Sequence, residues 1–519
     1  MILGNPIRDQ AGPDDPFRRM TVDDLFRRAV ERRGEDVALI DPPDRERFTD
    51  GAAKRLSFII ADRIVSAIAG RLTQLGLKAD AIVALQLPNT VESVLCMLGV
   101  LRAGMIAVPV PLLWRQTEAV QALSRIGARA LITCQRIGPV DHGELAMHIA
   151  AATFTIRFLC AFGARHLDGV ITFDDLLDAG HPGNTRVERV GNPADHVAVI
   201  TFETTPQGLV PVARSHAELI AGGLAVALAA RMGHETAILG ALATSSFAGL
   251  STTILPWLLA GGTLSLHHPF DSSIFAAQCG NRCEVAVLPG PLIPRLTEAG
   301  LVTGRNGPRT VLSVWRAPER AASSAQWPAG ENALVDVLAF GEAGLVAIRR
   351  RTDGKPGSIA LGPTAAPRAQ GDGLVLVNVA RTPAGTLSLS GGMVPHHSFP
   401  PGDNRSGGPR FRIGEDGFVD TGYPCRLDRA SGMLSVNAPP AGLISVGGYR
   451  FVLKELQDFI AHLSEGSSLA ALPDALAGHR LAGLSSDREA IRRILTEQGA
   501  NSLIVDAFRE RRSDRASAA

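Results

Sequence analysis

The chain has 519 residues, 45% of them hydrophobic and 20% charged, with 52 Lys plus Arg against 51 Asp plus Glu. That length exceeds one hydrophobic core, so two to four domains are expected. A formal charge of +1 and only 5% aromatic residues exclude the basic footprint and the base-stacking platforms of a nucleic-acid binder.

The start, MILGNPIRDQAGPDDPFRRM, lacks an apolar core and carries acidic residues, so it reads as neither a secretory signal nor a transit peptide. Residues 21–33 follow as a helix, with Thr21 as N-cap and Val22, Leu25, Phe26 and Val30 as its apolar stripe. Residues 57–76 form a longer amphipathic pattern. Residues 81–87 are an apolar strand, broken at Pro88-Asn89, and residues 91–101 resume as a helix. Strands at 105–110 and 130–133 flank a helix at 115–126. This alternation predicts parallel sheets with helices on their faces.

The same texture returns with strands at 197–202, 239–243, 263–267 and 285–288, and helices at 217–230 and 252–259. From about residue 350, frequent Gly and Pro and short strands predict an antiparallel β-rich subdomain to about 436. Residues 391–409 read as a long irregular loop and 437–442 (NAPPAG) as a linker. Beyond it come a strand at 443–446, helices near 453–464 and 487–498, and a frayed tail from Glu510. No uncharged apolar run of about 18 residues occurs, so a soluble, cytoplasmic protein without a transmembrane segment is expected.

The six cysteines are scattered, which speaks against a disulfide framework. Cys279 and Cys283, four apart, are placed on one helix face. They read as two small buried side chains rather than a metal or redox pair. His267-His268 and His396-His397 have no ligand-like neighbours in sequence.

Six stretches, in order, carry a resemblance. They are residues 79–111 (ADAIVALQLPNTVESVLCMLGVLRAGMIAVPVP), 124–132 (SRIGARALI), 248–270 (AGLSTTILPWLLAGGTLSLHHPF), 354–358 (GKPGS), 414–428 (GEDGFVDTGYPCRLD) and 447–455 (GGYRFVLKE). Together they resemble the AMP-forming adenylating enzymes of the acyl-CoA synthetase type, over roughly residues 20–500. The resemblance implies an α/β fold. A large N-terminal domain of stacked αβ layers with the β-rich subdomain spans residues 1–440, and a small, shortened C-terminal α/β domain spans 441–519. It also implies ATP, Mg²⁺ and CoA as cofactors, and a carboxylic acid carried through an acyl-adenylate to a thioester. The implied partners are a small-molecule carboxylate and a nucleotide, with an acyl carrier or an active paralogue beside them.

Residue by residue, the resemblance assigns catalytic roles to Thr204, Thr205 and Glu342. Nucleotide contacts fall to Thr201, Thr204, Thr205, Phe340, Gly341, Asp420 and Arg426, and substrate contacts to Ser246, Phe247, Gly249 and Trp315. Glu342 is either the Mg²⁺ ligand or a plain surface carboxylate. The expected phosphate loop, Thr201–Leu209, keeps its hydroxyls. Glu203 and Pro206 stand where the family has glycines, its lysine is absent, and Arg214 is the nearest cation. As it stands, this segment reads as an ordinary strand-to-helix loop.

The family's ribose-holding aspartate is Tyr423 here, with Asp420 beside it. Its hinge falls on Ala438-Pro439-Pro440-Ala441-Gly442 without Arg or Asp, and its C-terminal catalytic lysine has no counterpart. Trp315 and Arg316 replace two glycines of the pocket wall. Two functions follow from this pattern: a divergent acyl-CoA ligase, or a pseudoenzyme of the same fold that binds an acyl group or regulates a partner.

Overall fold

The computed structural model describes Met1 and residues 19–509, apart from 164, 166, 179–186, 188, 281–282, 368–372 and 401–407. The expected tail and part of the loop at 391–409 lie outside the described residues.

Two large sheets form the N-terminal region. One orders its strands Gly208–Ser215, Val197–Thr205, Ile106–Pro109, Ile82–Gln86, Ala130–Cys134, Phe158–Phe162 and Ile171–Thr172, all parallel except the first pair. The other has eight strands, with Val285–Pro289, Thr310–Trp315 and Ala333–Phe340 parallel at its centre and Gly344–Arg349 antiparallel at its edge. All twelve residues of the helix Val91–Arg102 are buried, as befits a helix that is apolar all round and packed into the interior. Phe58 stacks on Trp257 with ring centroids 6.1 Å apart, and Phe26 lies 6.0 Å from the same indole. The expected helix at 21–33 is Val22–Arg33, and Thr21 and Asp24 close a reciprocal capping box at its start.

An antiparallel six-stranded sheet spans Ile359 to Val436. After the turn at 437–442, a four-stranded sheet carries the helices Leu453–Leu463 and Arg488–Glu497 over a separate core of Ile444, Ile460, Leu481, Leu495 and Phe508. Among the described residues no helix is long and apolar enough to cross a membrane.

Three expectations change. The segment at 201–209 does not run from strand to helix. It is a tight hairpin, paired from Thr201↔Val212 to Thr205↔Gly208. Residues 252–259 do not form one plain helix, because a π-turn at Leu250–Ile254 precedes Leu255–Ala260. The helix Ser272–Cys279 ends at Cys279, so Cys283 does not share its face.

A buried cluster has a measurable pH signature. Arg45 binds Asp41 at 2.7 Å and Glu92 at 2.9 Å, leaving two carboxylates to one cation. Burial first and Glu92 second push the Asp41 carboxyl up to about 6. The native state therefore holds this proton more tightly than the unfolded chain, whose Asp titrates near 4. The Asp41 contribution should thus fall as pH rises through about 4 to 6. Thermal melts across that window should show a steeper fall for the wild type than for Asp41→Asn. Parallel curves would remove Asp41 as the cause.

Candidate active site

Four sheets meet at one point, and each supplies a residue. Glu203 comes from the strand Val197–Thr205, and Gly341 and Glu342 from the turn between Ala333–Phe340 and Gly344–Arg349. Tyr423 comes from Val419–Asp428 of the antiparallel sheet, and Arg450 from Tyr449–Val452 of the C-terminal sheet.

The Glu203 carboxylate accepts hydrogen bonds from the Glu342 backbone N–H and from the Arg450 guanidinium. Arg450 also donates to the Tyr423 hydroxyl. Gly341 has φ +58°, and a Cβ added there would overlap the Glu203 carboxylate, so only glycine admits this packing. Burial raises the Glu203 carboxyl above its usual range, with Arg450 pulling the other way. Burial likewise raises the Tyr423 phenol, so it stays protonated. The ring of Tyr423 stands edge-on to Phe340 with centroids 5.4 Å apart.

Beneath this network, Glu342 Oε2 accepts from Thr201 Oγ1 at 2.7 Å and from the Phe247 backbone N–H at 2.9 Å. The Arg214 guanidinium lies 3.8 Å from the same oxygen and 3.8 Å from the centroid of the Phe247 ring. Burial lowers Arg214 to about 10, still well above neutrality, so it remains charged and paired to Glu342 rather than facing the hairpin.

The sequence-predicted residues divide among three cavities. Thr204, Thr205, Phe340 and Asp420 share the lining of one, about 330 Å³, with Arg410, Arg412 and Arg450. Ser246, Gly249 and Trp315 line an apolar one of about 350 Å³. Glu342 and Gly341 line a small polar one of about 60 Å³ between them, together with Glu203 and Arg450. Thr205 Oγ1 is engaged within its own turn, donating to the Gly208 carbonyl at 2.9 Å. Asp420 Oδ1 accepts from the Gly422 N–H at 2.9 Å.

Three residues are not brought to a cavity. Thr201 is buried beneath Glu342. Phe247 is fully buried because its face covers the desolvated Arg214. Arg426 points outward, as strand alternation places Tyr423 and Cys425 inside and Arg426 on the exposed face.

ATP with Mg²⁺ does not fit this arrangement as the family resemblance would place it. The Glu203 carboxylate stands where the resemblance expects a phosphate-loop glycine and packs against Gly341, and Glu342 Oε2 already has two donors and an arginine beside it. In the C-terminal region the sole lysine, Lys454, is exposed and pairs with Asp458 at 2.9 Å. Among the described residues no group of three or more His, Cys, Asp or Glu is placed to hold a metal. His267 Nδ1 instead meets Gln278 Oε1 at 2.6 Å, and His396 Nδ1 meets Glu218 at 3.0 Å.

Arg450 was not singled out in the sequence as a partner for Glu203 or Tyr423. The usable signal was two replacements, one acidic and one phenolic, in a chain that keeps the arginine of the Gly447-Gly448-Tyr449-Arg450 turn.

Comparison with known proteins bears on the family and the fold. A salicylyl-CoA synthase / salicylate adenylyltransferase of a Streptomyces species is 24% identical over 472 residues, covering 86% of this chain and 80% of that protein. A 2-hydroxy-7-methoxy-5-methyl-1-naphthoate–CoA ligase of Streptomyces carzinostaticus is 26% identical over 256 residues, covering 48% of this chain and 44% of that protein. The chain thus spans less than half of the naphthoate ligase's length. Apo MbtA of Mycobacterium smegmatis superposes with a TM-score of 0.65 at 18% identity, over 96% of this chain and 93% of that one. The family model described as AMP-binding enzyme matches residues 26–363, which include both large sheets and carry Glu203, Arg214 and Glu342. The chain therefore belongs to the AMP-binding enzymes, the adenylate-forming ligase superfamily.

Proposed function

We propose that this chain binds a small carboxylic acid without adenylating it, as a catalytically silent member of its family acting beside a partner. The observation that carries this reading is the Glu203–Arg450 pair. It fills the approach to Gly341 and ties the C-terminal turn to the N-terminal region. A carboxylate there repels phosphate, and removing well-placed charge stabilisation costs such a site about 3–4 kcal/mol for each group lost. The names of both Streptomyces relatives describe aromatic acids, which makes aromatic acids the first ligands to try.

A specific observation favours a second reading, an active carboxylic acid–CoA ligase with a displaced phosphate cradle. Thr204, Thr205 and Phe340 share the 330 Å³ cavity with Arg410 and Arg412. Calorimetric titration with Mg-ATP separates the two. The wild type should give no heat and no thermal stabilisation at millimolar ATP, and Glu203→Gly should gain nucleotide binding. Wild-type binding below millimolar concentration, lost in Glu342→Lys, would establish the ligase reading instead and call for a screen of acids with CoA as acceptor.

A further inference from the structure

The apolar cavity of about 350 Å³ lies between the N-terminal region and the C-terminal turn. It is more than twice the size of a cavity of about 150 Å³ that accepts benzene. Its walls are rigid and flat. Pro289 and Pro291 form one side, Trp315 another and Tyr449 a third. The Trp315 indole is held in place because its Nε1 donates to Asp336 Oδ1 at 3.0 Å. It lies over Gly290, where any Cβ would strike the ring. Stiff walls favour a ligand that is itself rigid, since little conformational freedom is then lost on binding.

Two polar groups at this cavity have no hydrogen-bond or ion-pair partner among the described residues. Arg316 lines both the apolar cavity and the small polar one beside it. Its Cζ sits 5.5 Å from the centroid of the Tyr449 ring, and among the described residues no hydrogen bond or ion pair holds its guanidinium. Three neighbouring charges are already engaged, and a fourth, Glu319, keeps a buried Oε2 without a hydrogen-bond partner and, among the described residues, forms no ion pair with Arg316. Arg320 donates to the Ala475 and Leu476 carbonyls, Glu203 is bound to Arg450, and Glu342 to Thr201 and Phe247. Ser445 Oγ is buried, lines the same cavity and has no hydrogen-bond partner. A half-buried guanidinium with no carboxylate in ion-pair contact, at the mouth of an apolar slot, matches a carboxylate carried on an apolar body.

We infer that Arg316 is the carboxylate anchor of the proposed acid site, selecting an aromatic monocarboxylate of one to two rings seated between Pro289, Trp315 and Tyr449. The inference deepens the non-adenylating reading and rests on it, because the acid is here anchored by Arg316 rather than presented to a nucleotide. No bond is made or broken. The site is a reversible receptor for the acid.

The test is calorimetric titration of the full chain with 2-naphthoate, 2-naphthamide and octanoate. The naphthoate should bind tighter than either the neutral amide or octanoate. Arg316→Gln should weaken naphthoate about tenfold to a hundredfold, as expected for a charge-assisted contact, while leaving the amide unchanged. Arg316→Lys should recover part of that loss. Leu292→Trp, which fills the cavity from another wall, should abolish binding of both naphthyl compounds. Melting temperatures of all variants establish that they are folded.

Naphthoate binding indifferent to Arg316, equal affinity for the amide, tighter octanoate, or no binding at millimolar ligand would each overturn the inference. A parallel Mg-ATP titration keeps the two claims apart. Nucleotide binding together with Arg316-dependent naphthoate binding defeats only the closed nucleotide end. Silence toward ATP with Arg316-independent naphthoate binding defeats only the arginine anchor.

Discussion

Arg450→Leu is expected to destabilise the chain by about 3–5 kcal/mol, because it leaves a carboxylate buried without its cation. The Arg450 and Glu203 side chains are each only 12% exposed. Glu319 and Glu342 also lie in the field of Arg450, so its removal gathers three acidic groups around one dry pocket. The same side chain ties Tyr423 and the C-terminal turn together. Its loss should therefore do more than lower the urea midpoint, and should also expose residues 437–442 to limited proteolysis. The double variant Arg450→Leu/Glu203→Gln should recover much of the stability, since the stranded charge is gone, yet stay sensitive to protease. Unchanged stability in the single variant would mean that water reaches Glu203 and that the nucleotide end is open.

The second large effect is expected at Asp336. Its carboxylate receives Arg350 at 2.7 and 3.1 Å and the Trp315 indole at 3.0 Å. The Arg350 and Asp336 side chains are 2% and 3% exposed. Arg350 in turn donates to the Ala325 carbonyl at 2.7 Å and the Gly354 carbonyl at 3.1 Å, clamping two loops onto the eight-stranded sheet. Asp336→Leu should cost about 3–5 kcal/mol for the stranded arginine. Asp336→Leu/Arg350→Leu should regain most of it, because an apolar pair of similar volume suits so dry a site. Trp315 loses its anchor in both, so naphthoate affinity should stay weakened even where stability returns. Equal losses in the single and double variants would show that packing, not charge, sets the cost.

Local signals that need no distant partner were legible in the chain. The Thr21 cap, the interior helix after Pro88-Asn89 and the Gly- and Pro-rich change near 350 follow from periodicity and turn chemistry. The strands Thr310–Trp315 and Ala333–Phe340 were missed, because strands buried on both faces show no alternation to distinguish them from a buried helix. The strand Gly208–Ser215 was missed for another reason. Pro206 and Gly208 mark a turn in either reading, and only the antiparallel partner reveals that the chain doubles back.

At the site the division is sharper. The sequence alone determined the layered α/β class and the family, and it marked where the chain departs from what the resemblance expects: Glu203, Pro206, Trp315, Arg316, Tyr423 and the proline-bearing turn at 438–442. It presented Glu203 and Tyr423 as two separate losses. The tertiary structure decided that they are one arrangement, because Arg450, 247 residues from Glu203 in the chain, is carried in by the C-terminal sheet and bonds both. It also decided that Phe247 belongs to the core and that Arg316 stands unpaired at the mouth of an apolar cavity. Residue type and local spacing set which groups a chain can offer. Burial and charge pairing act across space, so which groups are satisfied and which are left for a ligand is settled only when the sheets meet.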